Sequence, residues 1–156
     1  MNRIKHLCIA IFVSPELALG LAVAVFVTAA PKLAAELGVA IRSDPEVWKY
    51  LPALTLIFSG AAINSSFKLR APLESFSNKI LYHWSGYQLL VDRVYVGLFY
   101  GVCSAAASLA LWIVGKKINP ILTASIFLAA TLISGVTALT MLLAQQKLRE
   151  LLEANT

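Results

Sequence analysis

Long apolar stretches separated by short polar ones run the length of this chain of 156 residues. A helix needs about 20 mostly apolar residues to cross a bilayer. Four stretches approach or exceed that length: residues 7–30, 50–67, 91–115 and 120–144. The pattern predicts an all-α fold, an integral membrane four-helix bundle that forms one domain over residues 1–156.

The first apolar stretch contains one charged residue, Glu16, directly after Ser14 and Pro15. Serine is a favoured N-cap, proline suits the first helical position, and an acid is stabilised in the first turn. We therefore expect a helix to begin here, so that the first crossing is kinked or broken near Pro15. Residues 31–38 look amphipathic and are expected to extend this helix beyond the bilayer. The second helix is expected to begin early, at residues 43–46.

Two further helical segments are predicted outside the four crossings. Residues 72–90 repeat apolar side chains at steps of three and four, which is typical of an amphipathic helix on the cytosolic membrane surface. Residues 145–153 are polar and helix-favouring, which predicts a C-terminal helical extension into water. The polar link at residues 116–119 is short, so the last two crossings are expected to form an antiparallel hairpin.

The composition excludes a soluble domain of any size. Hydrophobic residues make up 59% of the chain and charged residues 13%, whereas a soluble domain is about 45–50% apolar and about a quarter charged. The net charge of +5 therefore bears first on membrane orientation rather than on nucleic acid, which is not an expected partner.

Orientation follows from which side of the membrane holds the Lys and Arg residues. With four crossings, the N-terminus, the 68–93 loop and the C-terminus share one side. Of the 13 Lys and Arg residues, that side holds Arg3, Lys5, Lys68, Arg70, Lys79, Arg93, Lys147 and Arg149. The other side holds Lys32, Arg42, Lys49, Lys116 and Lys117. The excess predicts a multi-pass membrane protein with both termini cytosolic.

Polar residues inside the apolar stretches are candidates for a pore or an ion pathway. Glu16 is the one acid well inside such a stretch, and ionisable groups within a membrane often mark proton or ion paths. Alternatively Glu16 completes a helix N-terminus, with backbone amides or Arg3 as its partner. Asn64, Ser65 and Thr131 either line a wet pore or bond to their own and neighbouring helices.

Small residues form stripes on the third and fourth predicted helices. Gly97, Gly101 and Ala105 follow each other at steps of four, and Ser134 and Gly135 belong to similar steps in the fourth helix. Such stripes let helix backbones approach closely. The contact they make is either within one chain or between chains of a homo-oligomer, and the pattern favours neither.

Basic and aromatic residues of the 68–93 loop predict a surface for lipid headgroups or a cytosolic protein partner. The candidates are Lys68, Arg70, Lys79, His83, Trp84 and Arg93. The C-terminal extension falls on the same predicted side. This arrangement favours a membrane subunit that docks a cytosolic partner.

Catalytic and cofactor patterns are missing from the sequence. The two histidines and two cysteines are far apart and form no metal or haem spacing. No Ser-His-Asp set, paired carboxylates, phosphate-binding loop or dinucleotide fingerprint occurs. We expect no enzymatic activity, no cofactor and no metal.

The layout and two local sequences resemble small four-helix membrane proteins of bacterial anti-phage defence, including the RexB phage-exclusion type. The sequences are Lys68-Leu69-Arg70-Ala71-Pro72, and Lys79-Ile80-Leu81-Tyr82-His83-Trp84 followed by Asp92-Arg93-Val94. The resemblance implies an oligomer that senses or perturbs the inner membrane through ion leakage, and it supplies no catalytic residues. The leading hypothesis is a channel-like oligomeric effector or sensor. The alternatives are a subunit that regulates a cytosolic partner and a small proton-coupled transporter that uses Glu16.

Overall fold

The computed structural model describes residues 3–70 and 86–153, and all regular structure in that part of the chain is helical. This confirms the predicted all-α class. The six helices are α1 (Arg3–Phe12), α2 (Pro15–Ala29), α3 (Pro31–Ser43), α4 (Pro45–Arg70), α5 (Tyr87–Val114) and α6 (Pro120–Glu153).

Two of these helices, α5 and α6, are long and apolar enough to cross a membrane. The pair α2 and α3 passes the same measure only when taken together, as one span bent by 105°. Helix α4 is not among the described helices that pass it. Length and composition therefore support two crossings, or three with the bent pair, and four crossings stay a prediction.

The first apolar stretch is divided where its sequence predicts. Helix α1 ends at Phe12, and α2 begins at Pro15. The Ser14 hydroxyl caps α2 by accepting a hydrogen bond from the Leu17 N–H at 3.3 Å, and Glu16 lies in the first turn. The predicted break is confirmed, and it separates the stretch into two helices.

A second break, at Ala30, corrects the expectation that residues 31–38 continue the same helix outwards. The α2 and α3 axes differ by 105° there, and Ala30 leaves the helical region with φ −130° and ψ 59°. Pro31 follows directly, and a proline ring disfavours helical angles in the residue before it. The chain therefore turns sharply at Ala30 instead of extending straight.

Helix α4 begins within the predicted residues 43–46. The Asp44 carboxylate accepts hydrogen bonds from the Glu46 N–H at 2.8 Å and from the Val47 N–H at 3.1 Å. Of the predicted amphipathic segment 72–90, only Gly86 and the first residues of α5 are described, and the rest lies outside the described residues. The last helix runs without a break from Pro120 to Glu153.

Helices α4, α5 and α6 pack side by side, and α5 and α6 are antiparallel. At one end the Thr123 hydroxyl donates to the Gly115 carbonyl at 3.1 Å. Near the other end Gly97 lies directly against Met141. Large apolar side chains cover much of the outer surface, with Val13 79% and Leu89 76% exposed. A soluble monomer rarely exposes extensive apolar patches, so lipid is the natural neighbour of this surface.

Helix α3 packs against the α5–α6 connection and supplies hydrogen bonds that the connection lacks. The Arg42 guanidinium donates to the Ile118 carbonyl at 3.0 Å and to the Lys116 carbonyl. These carbonyls follow the end of α5, where helical partners are missing. Arg42 therefore stabilises the turn between the two long helices.

We expect Arg42→Gln to lower the free energy of unfolding by about 1–2 kcal/mol, the contribution of hydrogen bonds from a charged donor. Unfolding of the purified protein in detergent, followed by circular dichroism, measures the change. Arg42→Lys is the control, because it keeps the charge but loses the planar fork that serves both carbonyls. Full stability in both variants would contradict the assigned role.

Candidate functional site

The candidate site is a buried ion pair between Glu16 and Arg93. Glu16 lies in the first turn of α2 and is completely buried, while the Arg93 side chain, on α5, is 25% exposed. The guanidinium binds both carboxylate oxygens, with Nη1 to Oε2 at 2.9 Å and Nη2 to Oε1 at 2.5 Å. This two-point geometry is the strongest form of a side-chain ion pair.

Helix α6 completes the site with two threonines. The Thr140 hydroxyl accepts a hydrogen bond from Arg93 Nη2 at 2.6 Å and donates to the Thr137 carbonyl at 3.1 Å. The Thr137 hydroxyl lies 3.3 Å from Glu16 Oε1 and 2.8 Å from the Ile133 carbonyl oxygen. The ion pair therefore connects α2, α5 and α6 at one point.

The break between α1 and α2 places Glu16 in the interior. Because α2 starts at Pro15, the carboxylate of Glu16 lies at a helix N-terminus, where the backbone dipole favours negative charge. The break also leaves carbonyls of the last α1 turn without helical partners. The buried Tyr100 hydroxyl donates to one of them, the Ile11 carbonyl, at 3.1 Å.

A cavity of about 520 Å³ adjoins the ion pair and opens to the outside. Its walls come from the end of α1, the Ser14–Pro15 turn, one face of α5, and Thr140 of α6. Arg93 and Asp92 are the charged residues among those that line it. The exposed part of the guanidinium is therefore reachable through this cavity, whereas Glu16 lies behind it.

Two predicted site residues from different sets thus form one site. The sequence predicts for Glu16 either a pore or ion pathway or a helix N-terminus paired with backbone amides or Arg3, and it predicts Arg93 on a cytosolic partner surface. In the structure the Arg93 guanidinium binds the carboxylate of Glu16, 77 positions earlier in the chain. A signal was present in the sequence: one apolar stretch contains an acid, another begins with a base, and the starts of the two stretches are not on opposite predicted sides of the membrane. Charges in such surroundings are usually paired.

The other predicted intramembrane polar residues are not partners of Glu16 or Arg93. Asn64 is exposed and Ser65 is buried, both near the end of α4. The Thr131 hydroxyl lies 3.4 Å from the Thr55 hydroxyl and joins α6 to α4. Thr131 therefore makes a contact between helices of one chain.

The glycines of the third predicted helix also make contacts within the chain. A Cβ at Gly97 would overlap the end of the Met141 side chain on α6. A Cβ at Gly101 would lie 3.7 Å from Ile63 of α4. Both glycines are buried, so the close approach they permit is used between α5 and its two neighbours. Ala105, next in the stripe, is partly buried.

The small residues of the fourth helix behave similarly. Ser134 is buried, and its hydroxyl donates to the Thr131 carbonyl of the same helix at 3.1 Å. A Cβ at Gly135 would lie 3.6 Å from the Phe58 ring of α4. These contacts favour packing within one subunit over the alternative of an oligomer interface at the same positions.

Little of the predicted basic surface can be described. Lys68 is exposed near the end of α4, and Arg70 is the last residue of that helix. Lys79, His83 and Trp84 lie outside the described residues. Within residues 3–70 and 86–153, no group of three or more His, Cys, Asp or Glu residues is arranged to hold a metal ion.

The helical fold, the apolar outer surface and the two long apolar helices define an all-helical membrane protein with a buried ion pair at a helix break. No family model, no curated protein and no solved structure matches the chain. Functional proposals therefore depend on the geometry of the site and on the local sequences named above.

Proposed function

We propose that this chain is a non-enzymatic effector or sensor of the bacterial inner membrane, whose resting state is locked by the Glu16–Arg93 ion pair. Separation of the pair would release α2 from α5 and α6 and raise the ion permeability of the membrane. The observation that carries this proposal is the two-point contact of a completely buried carboxylate with an arginine of another helix. A role in anti-phage defence, in a homo-oligomer, is proposed on the resemblance of the 68–94 sequence.

The energetics of buried charge support a two-state lock. A paired buried carboxylate is tolerated, but an unpaired one is strongly destabilising. Any event that neutralises Glu16 or draws Arg93 towards the cavity therefore removes the electrostatic contact that ties α2 to α5. The α1–α2 break at Val13 and Ser14 supplies a point where the helix is already interrupted and the chain can bend.

Glu16→Gln is expected to make the membrane leak ions several-fold faster than the wild-type protein does. This variant suits the test because Arg93 is partly exposed and can be solvated through the cavity. The assay uses vesicles with a potassium gradient and a potential-sensitive dye, after circular dichroism has confirmed helicity. Glu36→Gln is the matched control, since Glu36 is an exposed acid on α3.

The charge swap Glu16→Arg with Arg93→Glu is the second arm of this experiment. It restores an ion pair with reversed polarity, so the leak is expected to fall towards the wild-type level. Vesicles that are equally tight with the wild type, with a folded Glu16→Gln variant and with no protein would contradict the lock.

A membrane subunit that docks a cytosolic partner is the second candidate, and one contact favours it. Leu69, at the end of α4, shares a buried cluster with Leu148 and Leu152 of α6. The exposed Lys68 and the polar end of α6 therefore lie close together, as a composite docking surface requires. Reversing the charge at Lys68 should weaken capture of such a partner without increasing the leak.

Proton-coupled transport through Glu16 is a third candidate, favoured by the burial of this acid behind an open cavity. The Glu16→Gln variant distinguishes this candidate from the lock hypothesis. If the protein is a coupled transporter, the variant loses transport and the membrane stays tight to ions. If the ion pair is a lock, the variant leaks ions.

A further inference from the structure

The cavity beside the ion pair is lined by charged side chains whose charges do not all cancel. Two of its lining residues are charged, Asp92 and Arg93. Both oxygens of Glu16 are bound to the Arg93 guanidinium, so these two charges compensate each other. Asp92 is partly buried and has no hydrogen bond or ion pair with any described residue. The lining therefore presents one uncompensated negative charge.

The remaining walls of the cavity are mostly apolar. Ile9 of α1 and Val13 of the α1–α2 break contribute from one side, and Leu89 and Val96 of α5 from the other. Val13 and Leu89 are also among the most exposed apolar side chains of the protein. The cavity thus continues into the apolar outer surface, which an alkyl chain can follow.

We propose that this cavity binds an amphiphilic cation, with an ammonium headgroup against Asp92 and an alkyl chain along the Ile9, Val13 and Leu89 wall. The volume of about 520 Å³ falls within the range of about 300–1,000 Å³ typical of small-molecule sites. An anionic ligand is disfavoured, because Glu16 already neutralises the arginine and Asp92 repels a second negative charge. A neutral ligand would leave the Asp92 carboxylate without a counter-charge.

This inference rests on the proposed sensing function and gives the chemical class of its ligand. The cavity and the ion-pair site are linked because Arg93 and Thr140 belong to both. The test of this inference measures binding and not ion leak. If the cavity binds ammonium but no variant leaks ions, this inference holds and the ion-pair lock is wrong. If Glu16→Gln leaks ions but the cavity binds no ammonium, the lock holds and this inference is wrong.

The experiment is isothermal titration of the full chain in phosphatidylcholine nanodiscs with three probes of equal chain length. Octylammonium is expected to bind saturably, whereas octanol and octyl phosphate are expected only to partition into the lipid. Asp92→Asn should weaken octylammonium binding by about tenfold or more, the size expected of a partly desolvated charge pair. Glu36→Gln, an exposed acid on α3, should bind as the wild type does.

A second variant keeps the test informative if Asp92→Asn fails to fold. Ala10→Phe fills the cavity from the α1 wall with Asp92 intact, and it should abolish saturable octylammonium binding. Equal binding of the three probes would overturn the proposal, as would unchanged octylammonium affinity in a folded Asp92→Asn or Ala10→Phe variant.

Native mass spectrometry then distinguishes two sources of the same headgroup. If the natural ligand is a membrane lipid, the wild type should retain phosphatidylethanolamine in preference to phosphatidylglycerol, and Asp92→Asn should lose that preference. If it is a free amphiphilic amine, neither lipid is preferred while octylammonium still binds. A preference for phosphatidylglycerol that survives in Asp92→Asn would overturn the proposal.

Discussion

Replacing Arg93 with Gln is expected to lower the free energy of unfolding by about 3–5 kcal/mol, the largest loss we expect from any neutral substitution in this chain. The variant leaves the Glu16 carboxylate completely buried without its cation. The Ser14 hydroxyl and the Thr137 hydroxyl, the latter at 3.3 Å, remain near that carboxylate but supply no positive charge. Unfolding in mixed micelles of increasing denaturing detergent, followed by circular dichroism, measures the loss.

The double variant Glu16→Gln with Arg93→Gln is the control for this prediction. Two amides can hydrogen-bond to each other and to the threonines of α6, and no buried charge remains. Most of the stability should return, because a buried ion pair contributes little relative to an uncharged replacement of similar size. A double variant less stable than Arg93→Gln alone would refute this explanation.

Gly38→Ala is expected to be the second most damaging substitution, with a loss of about 1–3 kcal/mol or more. A Cβ at Gly38 would overlap the carbonyl group of Pro120, the first residue of α6. Backbone cannot rotate away as a side chain can, so α3 must move from the start of α6. The same unfolding measurement detects the loss, together with faster proteolysis of the α5–α6 connection.

Gly60→Ala is the matched control, since nothing lies within 4 Å of a Cβ at Gly60 in α4. There the substitution removes only the helix penalty of glycine, about 1 kcal/mol, and should leave stability unchanged or raised. Equal effects of the two alanines would mean that the contact between Gly38 and Pro120 does not limit the packing of α3.

Rules that act over a few residues identified most of the helix boundaries. The Ser14-Pro15-Glu16 sequence predicts a helix start because the cap, the proline and the acid all act within one turn. The same is true of Asp44 and Pro45 at the start of α4. The sharp bend at Ala30 was missed, although Pro31 disfavours helical angles in the residue before it.

Of the two charged residues that form the candidate site, only Glu16 could be singled out from the sequence. Glu16 stands out in the sequence because a charge in an apolar stretch is costly and needs a reason. Arg93 does not, because it is one of several basic residues in the 68–93 loop. The small-residue stripe at Gly97 and Gly101 predicts close helix packing, but the same stripe would serve a contact between chains.

The sequence by itself determined the helical class, the apolar surface and the break before Glu16, because each depends on local composition or on interactions within one turn. Only the tertiary structure decided that Glu16 meets Arg93, that Asp92 lines a cavity and that the glycines pack inside the chain. The Glu16–Arg93 contact alone joins residues 77 positions apart. Their formation depends on how whole helices pack around a buried charge, which periodicity along the chain does not encode.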